Sequence, residues 1–355
     1  MKKHITVLLL SVTSICRAQD TVLTAYLAQH RYAIDLNDPG AFHMLPDMMK
    51  GKNLFVLGEG GSHGLELYAP LKSAVLDQLA TQNLKYFFIE LGRSTAYILN
   101  NYLDKQTDSC TSAFTKYCRI MDHEKATIKK GHDFKLVGID FEIRIDFNTA
   151  LNQMFGNVDL GKCPTSKAFL ADLLDSTCLK MTHKAFMKFY KAKREEFQQN
   201  KIAIKLELGD KYNGLEYLVT NQNTTRPNID RNPAMSKNLL QEINPLDTSG
   251  VYFLTIGMAH SMPCDNFSVV HKLCKSDVLK DRVLVMNLHC ENCSLNGAPL
   301  TGKTMLRFMN DQDIEACFSK AAIGAYTLFD LSQLPDEYSD IKKYGDLLLM
   351  AKGQH

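Results

Sequence analysis

The 355-residue sequence predicts an α/β fold: a central, largely parallel sheet flanked by helices and carrying a helical insertion. Three observations predict it. Short apolar runs alternate with helix-length amphipathic segments. Four of those runs are followed directly by ionisable residues, and one long stretch, about 165–220, is helical with no strand pattern.

The first strand is Asn53 to Gly58, an apolar run that enters the glycine-rich loop Glu59 to Gly64. Leu67, Leu71, Val75 and Leu79 then recur every four residues with Pro70 near the start, which is a helix with one buried stripe. Tyr86 to Glu90 is the next strand and Thr95 to Leu103 the next helix, a spacing that implies parallel βαβ units with right-handed crossovers. Further strands are expected at Lys135 to Ile139, Val251 to Ile256 and Val283 to Asn287, with later ones at Ala325 to Phe329 and Leu347 to Ala351. In the insertion, Phe169, Leu173, Phe186 and Phe189 are the expected inward positions, and its mixed charges read as a solvated face. Nothing repeats internally and no Pro/Gly-rich linker intervenes, so a single domain over 19–355 is the economical division.

Residues 1–18 have the layout of a cleavable secretory signal: Lys2 and Lys3, an apolar stretch from Ile5 to Cys16, then small residues before Gln19. The stretch is too short to span a bilayer. The expected location is periplasmic or extracellular, with lipid anchoring at Cys16 a competing route that Ile15 fits poorly. The formal charge of +2 comes from 41 basic and 39 acidic residues, and removing Lys2, Lys3 and Arg17 leaves 38 against 39, or −1. Such a balance offers no electrostatic case for nucleic acid or an anionic membrane. Nine cysteines follow the signal, eight of them close neighbours in sequence: Cys110 and Cys118, Cys163 and Cys178, Cys264 and Cys274, Cys290 and Cys293. In an oxidising compartment these spacings suggest short-loop disulfides, with Cys317 left over.

Ligands of open α/β sheets gather beyond the carboxyl ends of the strands. The residues found there are Glu59 and His63, Glu90, Asp140 and Glu142, and His260. A histidine beside a carboxylate is held in one tautomer and suits a general base acting on water. Glu90, at the end of a buried strand, must be solvated, paired or protonated, and either His63 or Arg93 is within sequence reach to pair with it.

Together these segments resemble the erythromycin esterase-like family. The run Leu57 to Gly64 with Glu66 beyond it, followed by Phe88 to Glu90, is similar to that family's Gly-Glu-x-x-His-Gly loop and second strand-end Glu. Asp230 to Asn238 is similar to its Arg-Asp-x-x-Met-x-x-Asn segment, and Ala259-His260-Ser261 to its Ala-His-Asn strand end. Thr327 to Leu331 and Gly345 to Leu349 resemble its closing elements, so the likeness spans the mature chain in order. The resemblance implies a hydrolase that opens a carboxylic ester or lactone by activating water. Glu59, Glu90 and His260 fall on the family's active-site positions, and His63 joins them if Gly61 loops out, all four being expected to converge. Glu66, Arg93, Asp140 and Arg231 are the candidate supporting or substrate-binding residues. The chain departs from the pattern where Pro263 replaces a second His and Asn232 replaces an Asp.

Two rival chemistries are visible. Gly60-Gly61-Ser62-His63-Gly64 matches the Gly-x-Ser-x-Gly string of a serine nucleophile, with Asp140 and His260 in suitable chain order, yet the next helix starts too far on for the usual tight elbow. Glu59, His63, Glu90 and His260 could also offer nitrogen and oxygen ligands to zinc, although no His-Glu-x-x-His helix is present. His289-Cys290-Glu291-Asn292-Cys293 lacks a second ligand pair. The expectation is therefore a small-molecule ester or lactone substrate, no cofactor, no nucleic acid and no stable membrane insertion. A non-catalytic ligand-, haem- or metal-binding protein on the same scaffold is the alternative.

Overall fold

A computed structural model describes residues 21–60, 68–104, 134–222, 231–243, 249–291, 294–295, 298–299, 306, 309 and 311–352. The expected signal segment, Ser62, His63, Glu66 and Asp230 lie outside the described residues, as do Cys110, Cys118 and Cys293 with the disulfides expected of them. In chain order the principal elements begin with β1 (Arg31–Ile34), β2 (Leu54–Glu59), α1 (Tyr68–Ala80), β3 (Leu84–Ile89), α2 (Arg93–Leu103) and β4 (Lys135–Gly138). The helices α3 (Arg144–Phe155), α4 (Pro164–Leu174), α5 (His183–Leu208), α6 (Tyr212–Val219) and α7 (Arg231–Glu242) follow. The chain closes with β5 (Val251–Gly257), α8 (Met258–Ser261), β6 (Val283–Glu291), α9 (Gln312–Ala321), β7 (Tyr326–Asp330) and β8 (Leu347–Lys352).

The fold is α/β, largely parallel and flanked by helices, with a helical insertion. Two compact units divide the chain. The first comprises 1–78, 256–271 and 281–355, the second 79–255 and 272–280. In the first unit the strand order is β1-β7-β8-β6-β2. There β6 runs parallel to both β2 and β8, and the antiparallel pairs β8–β7 and β7–β1 close the far edge. In the second unit β3 lies parallel between β5 and β4. Every residue of β2 and of β5 is buried. That is the mark of parallel strands covered on both faces, and it is why their sequences read as unbroken apolar runs.

The helices α3 to α6 build their own apolar core in the second unit. Phe169, Leu173 and Phe186 are buried in it and Phe189 packs half-buried against it, as the sequence pattern predicts. Among the described residues no helix is long and apolar enough to cross a membrane.

The expected disulfide between Cys163 and Cys178 is not formed. Cys163 precedes α4 and turns its thiol to the Glu207 carbonyl at the end of α5 (3.4 Å), whereas Cys178 is buried in the helical core. Sequence neighbours separated by a whole helix end up facing different partners. No disulfide joins Cys264 to Cys274 either.

Candidate functional site

In the first unit Glu59 closes β2 and is buried at 7% exposure. Its partner is Lys72 in the second turn of α1, equally buried, whose ammonium donates to Glu59 Oε1 at 2.8 Å. Four residues earlier on the same helix, Tyr68 donates its hydroxyl to the Gly60 carbonyl at 2.7 Å. Burial, and then the negative charge of Glu59, push the Tyr68 phenol well above its ordinary pKa. Helix α1 thereby grips the strand end at both Glu59 and the residue after it. Gly58 must be glycine here, because a Cβ would collide with the side chains of Ser261 and Asn287.

His260 sits half-buried on the short helix α8, which follows β5. Beside it Ser261 donates to Asn287 Oδ1 (2.5 Å), with its oxygen also 3.0 Å from the Met258 carbonyl, and Asn287 in turn donates to the Tyr344 carbonyl at 2.5 Å. The turn that carries the imidazole is therefore pinned to the centre of β6. Two residues beyond Asn287, His289 is 6% exposed, and burial lowers its imidazole to about 4 against the opposing charge of Glu291. Its Nε2 stands 3.7 Å from Glu315 of α9.

In the second unit Glu90 follows β3 and Asp140 lies two residues past β4. Arg231, the first residue of α7, reaches both. Its Nη2 donates to Glu90 Oε1 at 2.7 Å and to Asp140 Oδ2 at 2.6 Å, while its Nε donates to Asp140 Oδ1 at 3.1 Å. The Asp140 contact is two-pronged, which suits the planar guanidinium, and the cation lies 5.8 Å from the centre of the Phe141 ring. Burial works against the Arg231 charge, but Asp140 and then Glu90 outweigh it and raise its pKa. Asp140 is pushed up by burial and by Glu90, with Arg231 pulling the other way.

Arg93 is not a partner of Glu90. It is buried, and its guanidinium donates to the Tyr217 carbonyl (3.0 Å), Thr220 Oγ1 (2.9 Å), Gln241 Oε1 (3.0 Å) and Glu242 Oε1 (3.2 Å). Glu142, fully buried, accepts from the backbone amides of Arg93 (2.9 Å) and Ser94 (3.1 Å), from the Ser94 hydroxyl and from Asn221 Nδ2 (2.6 Å). Burial still leaves its pKa raised against those four donors. Glu142 therefore satisfies the first amides of α2, and this strand-end carboxylate serves the scaffold.

Of the sequence candidates, the structure places Glu59 and His260 in the first unit and brings Glu90, Asp140 and Arg231 together in the second. Among the described residues, no group of three His, Cys, Asp or Glu is arranged to hold a metal ion. Sequence reasoning missed Lys72, Asn221, Asn238 and Asn287. Lys72 is adjacent to the apolar stripe position Leu71, where a lysine ordinarily reads as solvent-facing, so no pattern marked it. Asn238 was visible as the last residue of the Asp230 to Asn238 segment.

No protein-family model matches the chain, and no curated protein matches it. Solved structures do. A Bacillus cereus protein shares 12% identity at a TM-score of 0.66, covering 94% of this chain and 97% of its own. A succinoglycan biosynthesis protein shares 12% at 0.65, with the same coverage. A histidine-to-asparagine mutant of the erythromycin esterase EreC, in its open conformation, shares 14% at a TM-score of 0.54, covering 88% of this chain and 93% of its own. The shared feature is the fold, which is erythromycin esterase-like.

Proposed function

We propose that this chain is an exported hydrolase that opens a carboxylic ester or lactone of a small molecule. The observation that carries the proposal is the Arg231 guanidinium held between Glu90 and Asp140 past the carboxyl ends of two parallel strands. An alternative in which Glu90 merely pairs with Arg93 would have left no such assembly. In the proposed reaction an imidazole, His260 or His63, takes a proton from water as it attacks the acyl carbon. The resemblance assigns Glu59 and Glu90 to orienting the water and balancing the imidazolium charge, and within the second unit Arg231, beside Glu90, is the group able to stabilise a developing oxyanion. No covalent intermediate is required. The buried ion pair Lys72–Glu59 supports the assignment, since an acid held by a cation in a fixed geometry is prepared for an electrostatic role.

The test is a panel of p-nitrophenyl esters and lactones with wild type, His260→Ala, His63→Ala and Glu90→Gln, with and without a chelator. Turnover that falls at least about 100-fold in Glu90→Gln and in at least one of the histidine variants is expected. Turnover that neither His260→Ala nor His63→Ala lowers overturns the proposal, and absence of any turnover overturns it in favour of a ligand-binding protein on this scaffold. Covalent labelling of Ser62 by a fluorophosphonate, with activity lost in Ser62→Ala, would replace it with serine chemistry. Loss of activity on chelation would make the reaction metal-dependent. Export is tested by N-terminal mapping of the protein secreted from its host, with Gln19 expected as the first residue.

A further inference from the structure

We infer that Asn221 and Asn238 are positioning residues that set where Arg231 meets Asp140. Both side chains are fully buried. Asn238 Nδ2 donates to Asn221 Oδ1 at 2.7 Å and to the Ile139 carbonyl at 2.8 Å, and Asn238 Oδ1 accepts from the Gln222 amide at 2.9 Å. Asn221 Nδ2 donates to the Asp140 carbonyl and to Glu142 Oε1, both at 2.6 Å. Each amide therefore uses both of its N–H donors and its oxygen. Turning either one over would set donor against donor in a buried space, so the pair has a single arrangement.

The consequence lies in what the two amides hold. The carbonyls of Ile139 and of Asp140 flank the Asp140 Cα, and each is fixed by one asparagine. That sets the direction in which the Asp140 carboxylate leaves the backbone. Asn238 lies seven residues after Arg231 on α7, about two turns along and on the same side of the helix. Its bond to Ile139 therefore anchors the helix to the very segment that Arg231 grips through Asp140. Asn221 is braced from the helical core as well, its backbone amide donating to the Tyr190 hydroxyl (3.2 Å), which itself donates to the Leu218 carbonyl (2.6 Å). An unbroken set of hydrogen bonds thus runs from the helical insertion to the guanidinium's main partner.

The catalytic consequence rests on the hydrolase proposal above; the positioning itself does not, and the experiment separates them. Wild type, Asn238→Ala and the milder Asn238→Ser are treated with phenylglyoxal, and modification of Arg231 is followed by peptide mass spectrometry, with Arg282 of the other unit as internal control. In each variant that retains its circular dichroism spectrum, Arg231 is expected to react several-fold faster than in wild type while Arg282 is unchanged. The isosteric Asn238→Asp, which keeps the acceptor and loses both donors, is expected to behave like Asn238→Ala. Unchanged Arg231 reactivity in the folded variants overturns the inference. On p-nitrophenyl butyrate, Asn238→Ala is expected to lower kcat about 10- to 100-fold with KM little altered, and to add nothing when Arg231 is already alanine. An equal further loss in the Arg231→Ala background would show a general structural role and overturn the inference. A wild type that hydrolyses no ester overturns the hydrolase proposal, and the arginine chemistry then decides the positioning role alone.

Discussion

Arg231 clasps Asp140 with two nitrogens and shares one of them with Glu90, so a single guanidinium holds the polar ends of two neighbouring strands. The side chains of Glu90 and Asp140 are only 10% and 5% exposed. Removing the cation from such a pair leaves charge buried and uncompensated. Arg231→Ala is expected to cost about 3–5 kcal/mol of stability, read as a lowered urea midpoint. It is also expected to lower ester turnover about 100- to 1000-fold in the fraction that remains folded, leaving a measurable residue, and Arg231→Lys, which lacks the planar fork, to recover stability better than activity.

Arg93 is the matched control. Its bonds run to Tyr217, Thr220, Gln241 and Glu242, all within the helical scaffold. Arg93→Met is expected to lower stability by roughly 2–4 kcal/mol while the folded protein keeps kcat within about threefold of wild type. Loss of turnover as deep as in Arg231→Ala would assign Arg93 a part in the chemistry.

Lys72 and Glu59 form the corresponding test in the first unit. Lys72→Met leaves a buried carboxylate facing an apolar side chain and is expected to cost about 3 kcal/mol. Adding Glu59→Gln should restore much of that loss, giving a coupling energy of at least about 1 kcal/mol in a double-mutant cycle by chemical denaturation. Activity is expected to stay low in the double variant, because relieving the charge does not replace the carboxylate.

His289 makes the fold acid-sensitive. Its imidazole sits at about 4 in the folded protein against 6.5 when free, so between those values the unfolded chain binds the extra proton. Stability present above pH 6.5 is therefore lost as the pH falls towards 4, by about 3 kcal/mol in all. Urea midpoints measured from pH 7 to 4 should show this decline, and His289→Phe should flatten it. A variant with the same slope as wild type would rule out His289 as its source.

The strands and the helical insertion were legible because a covered parallel strand and a buried helical stripe each leave a periodic or unbroken apolar signature. The predicted strand starting at Asn53 begins one residue later, and the run from Val283 extends to Glu291. The short edge strand Arg31–Ile34 carried no such signature, since only Ile34 of its four residues is buried. The candidate acids were legible for a topological reason: in this class the residues that follow strands occupy the ligand-binding edge. What each acid does there was not. Glu142 and Glu90 both follow buried strands, yet one caps a helix and the other meets Arg231. Cys163 and Cys178 are neighbours in sequence and nothing more.

Local periodicity and strand order are enough to specify the α/β class, the insertion and the set of strand-end groups, because they depend on residues near one another. The partners depend on long-range packing. Lys72 reaches Glu59 across 13 residues, Arg231 reaches Asp140 across 91 and Asn238 reaches Ile139 across 99. Contacts at such separations are set by how helices pack on strands, and a charge or an amide carries no mark in the sequence of which distant group will satisfy it once both are buried.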